Sequence, residues 1–141
     1  MHRDNSSLRD YGCRPLVINI DRSTKFNPNY RTALWTGDNL QVTLMSIPVR
    51  GDIGLELHSD TDQFIRIESG DALVVMGNDK NCLNYRKRAD SQCAVIVPAG
   101  TWHNVINVGT SPLKIYSVYA PPHHPFGTIH RTKEEAERMG D

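Results

Sequence analysis

Apolar residues fall in short runs along this chain, separated at close intervals by turn-forming residues. Runs at 16–20, 31–35, 40–49, 55–58, 63–67, 72–76, 93–97, 105–108 and 113–120 end in clusters such as Thr36-Gly37-Asp38-Asn39, Glu68-Ser69-Gly70 and Pro98-Ala99-Gly100. Runs of this length and spacing predict an all-β sandwich or barrel. The runs around Val74 and Ile96 are apolar on both faces, which calls for cover on both sides: a double-layered roll, a homodimer interface, or both. One helix is expected, near the C-terminal end. Thr132-Lys133-Glu134-Glu135 reads as a capping box, and the following residues are good helix formers. The expected organisation is an irregular arm over residues 1–15, one β-barrel domain over 16–127, and a tail over 128–141 that carries the helix. Arg86-Lys87-Arg88 is expected as a charged edge strand that discourages edge pairing.

Composition narrows the class. The chain has 141 residues, 38% hydrophobic and 23% charged, too apolar for disorder. It has no apolar stretch near the roughly 20 residues that a spanning helix needs. Lys plus Arg and Asp plus Glu are both 16. This balance lacks the basic excess of a nucleic-acid binder and gives no attraction to an anionic membrane. The opening residues are polar rather than signal-like, and Cys13, Cys82 and Cys93 form no Cys-x-x-Cys pair. Reduced thiols in a cytoplasmic protein are the expectation.

Two constellations carry chemistry. In an extended segment, residues i and i+2 share a face, so Glu56 and His58 present a carboxylate and an imidazole together. A turn at 59–62 would bring Gln63 alongside. Pro98-Ala99-Gly100-Thr101-Trp102-His103 then sets a second imidazole at the start of a later strand. A carboxylate, two imidazoles and an amide oxygen suit one divalent metal ion; four unrelated polar residues at strand ends is the other reading.

The spacing also resembles the cupin superfamily of small jelly-roll barrels. Pro98, Gly100, His103 and Asn107 match the second cupin motif, Pro-x-Gly-x-x-His-x-x-x-Asn, although its usual leading Gly is Gln92. The first motif matches in part. His58 takes the second His position and Gly70 closes the motif, whereas Glu56 replaces the first His and Gln63 replaces the usual Glu. Segments such as Gly54-Leu55-Glu56-Leu57-His58 and Tyr119-Ala120-Pro121-Pro122-His123-His124 are similar to bacterial single-domain cupins often labelled mannose-6-phosphate isomerase-like or sugar-phosphate isomerase. The resemblance implies a double-stranded β-helix with Glu56, His58, Gln63 and His103 at the metal-ligand positions. It implies Fe, Mn, Zn, Ni or Co as the metal and a sugar-like small molecule as substrate. Glu56 is either a ligand or, if uncoordinated, the base of an isomerase. A metal-dependent dioxygenase and a non-enzymatic ligand-binding cupin are the alternatives.

Other residues are read less sharply. Trp102 walls the pocket or packs a turn, and only one of Tyr116 and Tyr119 can point inward. His123 and His124, in the Pro-rich exit from the last strand, line the barrel mouth or face solvent; the solvent-facing reading is the expectation for them and for His130. No pair of inward Arg or Lys residues is apparent, so a phosphate clamp is not expected.

Overall fold

The computed structural model describes residues 8–140. The first seven residues of the expected arm, and Asp141 of the expected tail, lie outside the described residues. Nine strands and two helices follow in the order α1 (Ile20–Phe26), β1 (Arg31–Thr36), β2 (Gln41–Ile47), β3 (Asp62–Ser69), β4 (Asp71–Gly77), β5 (Tyr85–Asp90), β6 (Ala94–Val97), β7 (Trp102–Asn107), β8 (Leu113–Ala120), β9 (Ile129–His130) and α2 (Lys133–Arg138). Two antiparallel sheets form, ordered β6-β3-β8-β2-β1-β9 and β5-β4-β7. This is the all-β architecture that the run pattern predicts and the jelly roll that the motif resemblance implies.

The inner faces follow the alternation. Ile65 and Ile67, Met45 and Ile47, Leu113 and Ile115, and Val74, Val95, Val97 and Val105 meet in one buried cluster. Register then grades the interior of the larger sheet. Gln63, Tyr119 and Gln41 lie opposite one another across β3, β8 and β2. The next inward rank is Ile65, Ser117 and Thr43, and the next is Ile67, Ile115 and Met45. The interior is therefore polar at one end and apolar at the other. Arg86, Lys87 and Arg88 lie exposed on β5, at the edge of the smaller sheet.

Three expectations are corrected. Residues 16–20 do not form a strand, and the C-terminal helix has a counterpart near the N-terminus. The Asn19 side chain accepts the Arg22 N–H (3.0 Å), capping α1, and Lys25 pairs with Asp21 one turn earlier (3.1 Å). Capping thus outweighs the apolar run before it, in which Val17 is fully exposed. The run at 55–58 is not a regular strand either. Residues 51–58 track β7 through isolated bridges at Asp52 and Glu56, and Gly54 breaks the ladder between them at φ +88°. The predicted C-terminal helix is present. The Thr132 hydroxyl accepts the Glu135 N–H (3.1 Å), while the Glu135 carboxylate accepts the Arg131 N–H (2.6 Å).

Candidate metal centre

Glu56 and His103 are brought together by backbone. The Glu56 N–H donates to the His103 carbonyl and the His103 N–H to the Glu56 carbonyl, both at 3.0 Å, so the two side chains stand beside each other. Alternation survives the irregular segment: Leu55 and Leu57 are exposed, while Glu56 and His58 face inward. The turn of the second motif is tied to the first, because Gly100 N–H donates to the His58 carbonyl (2.8 Å). Gly100 sits at φ +81°, a conformation that a side chain disfavours. Asn107, the last motif residue, is a staple. Its amide donates to the carbonyls of Ile47 (3.0 Å) and Ser111 (2.9 Å), and its oxygen accepts the Gly109 N–H (2.9 Å).

Three of the four expected ligands converge. Glu56 Oε1 lies 3.3 Å from His58 Nε2 and 4.0 Å from His103 Nε2, and one donor atom from each residue fits within 4.8 Å of the others. The His103 tautomer follows from its neighbour. Nδ1 is 2.9 Å from the Thr101 carbonyl, which can only accept, so Nδ1 carries the proton and Nε2 keeps its lone pair toward the site. Gln63 faces inward from β3 and donates through Nε2 to Ser117 Oγ (3.2 Å). Its Oε1, Nδ1 of His58 and Nε2 of His103 are buried without a hydrogen-bond partner. Each such atom costs about 1–3 kcal/mol when unsatisfied. Lone pairs on imidazole, amide and carboxylate are the donors that a divalent transition metal accepts, so these residues fit one.

The electrostatics agree with that fit. Burial pushes the Glu56 carboxyl up, but the adjacent His58 ring and the positive charge of Arg31 outweigh it and hold the group below its usual range. Burial dominates at His103 and keeps its imidazole neutral below its ordinary pKa, against the opposing pull of Thr101 and Glu56. An anionic carboxylate beside a neutral imidazole is the protonation state that a metal requires.

The surroundings settle one open choice and correct the expectation for two histidines. Tyr119 is the inward tyrosine, buried with its ring 5.9 Å from that of His58. One inward arginine is present. Arg31 on β1 is 1% exposed, with Nη1 3.1 Å from His130 Nδ1. His124 and His130 are buried rather than solvent-facing, and burial with the nearby Arg31 charge pushes His124 down to about 2. His123 is exposed, yet its ring centre is 4.1 Å from that of His58. After β8 the chain turns back across the barrel mouth instead of leaving it. Gln41 holds it there: Oε1 accepts the N–H of His123 (3.1 Å) and of His124 (2.9 Å), and Nε2 donates to the His124 carbonyl (2.8 Å). A cavity of about 540 Å³ adjoins this loop, lined by His123, His124, Phe126 and His130 among others. The Pro-rich composition of 121–125 signals a loop, but nothing local says where that loop goes.

Comparison with known proteins agrees with the fold. The cupin domain family matches residues 43–119, and the chain belongs to the cupin family. It is 58% identical to the uncharacterized protein YrkC of Bacillus subtilis strain 168 over 137 residues, covering 97% of this chain and 74% of that protein. It is 40% identical to protein L612 of Acanthamoeba polyphaga mimivirus over 114 residues, covering 80% of this chain and 69% of the other. The crystal structure of BH2720 from Bacillus halodurans superposes with a TM-score of 0.92 at 55% identity, covering 92% of this chain and 98% of that one.

Proposed function

We propose that this cupin holds one divalent transition metal between Glu56, His58 and His103, with Gln63 Oε1 beside them, and acts as an isomerase on a small sugar-like hydroxycarbonyl compound. The observation that carries the reading is the convergence of buried lone pairs without partners on an ionised carboxylate. A metal held there supplies Lewis acidity to a bound carbonyl oxygen. The protein supplies the rest. The Thr101 carbonyl fixes the His103 tautomer, and Tyr119 and His123 wall the approach to His58. Glu56 makes both ring contacts through Oε1, which places its carboxylate as the anionic ligand between the two imidazoles. The substrate is small, and the protein works in the cytoplasm.

A second reading, a metal-dependent dioxygenase, is favoured by the two-His, one-carboxylate composition. Metal analysis of protein purified without chelators, followed by two assays on the loaded protein, tests both. Solvent deuterium appearing at carbon in a panel of aldoses and ketoses supports the isomerase. Oxygen uptake with Fe(II) and a panel of phenols and diketones, without such exchange, replaces it with the dioxygenase. Absence of a stoichiometric metal, or undiminished metal content in His103→Ala, overturns both.

A further inference from the structure

His123 belongs to neither motif, yet the loop after β8 sets its ring at the barrel mouth, against those of His58, Tyr119 and His124. Its side chain faces solvent on one side and the His58 ring on the other. Two imidazoles on one ion, with metal–nitrogen bonds of roughly 2.0–2.1 Å, have ring centres about 4.5–5.5 Å apart. His58 and His103, at 5.3 Å, fall in that interval. His58 and His123, at 4.1 Å and tilted by 57°, fall just below it. The His123 nitrogens lie outside the 4.8 Å cluster of the other three residues, and rotation of an exposed ring is the inexpensive motion that closes the gap.

The loop is built to present this ring. Besides Gln41 at its centre, its far end is held by Asp10, whose Oδ2 accepts the Gly127 N–H (2.9 Å) and the Thr36 hydroxyl proton. Thr36 Oγ1 in turn accepts from Gln41 Nε2 (2.9 Å). The backbone under His123 is thus fixed from both sides, which sets the ring against His58.

We propose that His123 is a solvent-side ligand of the metal centre, a third imidazole delivered by the loop after β8 and not by either motif. This rests on the metal reading above. It makes the ligand set Glu56, His58, His103 and His123, with Gln63 as the buried amide. Being exposed, His123 is the ligand best placed to swing aside when a chelating substrate arrives.

Co(II) titration with a competing chelator, read with the visible d–d spectrum, tests it on wild type, His123→Ala, His123→Phe and His103→Ala. His123→Phe keeps a ring against His58 and Tyr119 but has no ligand nitrogen, which separates ligation from stacking. Both His123 variants are expected to bind Co(II) about 10-fold more weakly or worse, with an altered d–d band and unchanged far-UV circular dichroism. Wild-type affinity and spectrum in His123→Phe overturn the proposal while leaving the metal reading intact. A wild type that takes up no Co(II), or a His103→Ala variant that binds it as wild type does, overturns the metal reading and this inference with it.

Discussion

At Gln63, an amide where the resemblance leads one to expect an acid sets the charge of the whole centre. With Glu56 as the single carboxylate, a divalent ion leaves the site at a net charge of about +1. Gln63→Glu brings it to neutral and offers a stronger ligand, so metal affinity should rise by 10-fold or more in a chelator competition; equal or weaker affinity would place Gln63 outside the ligand shell. The same substitution buries a second carboxylate near Glu56, at a position 3% exposed. The metal-free variant should therefore lose about 1–3 kcal/mol in urea unfolding, and metal should restore it. Alternation and one turn made Glu56, His58 and Gln63 legible as a group in the sequence, whereas His103 joined them through the motif resemblance and is brought to Glu56 in the fold by a long-range backbone bridge. Arg31, Gln41 and His123 were not legible. They reach the site through the register of β1, β2 and β8 and the path of a loop, none of which has a local signature.

Among the elements, strands were easier to read than helices. A strand announces itself by alternation against a core, whereas α1 has seven residues and buries only Thr24, leaving its cap as the main signal. The second helix shows how a peripheral element is fastened. Lys133 Nζ pairs with the Asp52 carboxylate, which also accepts from Asn104 Nδ2 (3.0 Å). Burial raises the Asp52 pKa, but these two partners outweigh it and hold the group below the usual carboxylate range. A folded-state pKa below the unfolded one stabilises the protein above about pH 4, and the contribution fades as pH falls through the folded value. Both side chains are about one-third exposed, so screening reduces the effect. Asp52→Asn is expected to cost about 1 kcal/mol at pH 7 and little at pH 3, measured by urea unfolding. A cost independent of pH would assign the stabilisation to packing rather than charge.

For the molecule as a whole, the outer face of the larger sheet bears on association. Trp35, Val42, Val118, Phe64 and Ile96 stand opposite one another in turn across β1, β2, β8, β3 and β6. Phe64 is 37% exposed and Ile96 58%. A row of five apolar residues, ending on a short uncharged edge strand, is a surface that association covers. We expect a homodimer through it, with Phe64→Glu giving a monomer by light scattering; a monomeric wild type at micromolar concentration would refute this. The graded interior has a different consequence. Residues that hold the roll together sit at its apolar end, and residues that would do chemistry sit at its polar end, with few serving both. Substitutions at the mouth therefore leave the apolar packing of the roll intact, even where, as at Gln63, they cost some stability. A lineage built on this frame is free to exchange metals, substrates and reactions while its outline stays constant, so shared shape among its members is a record of descent and a poor guide to what each one catalyses.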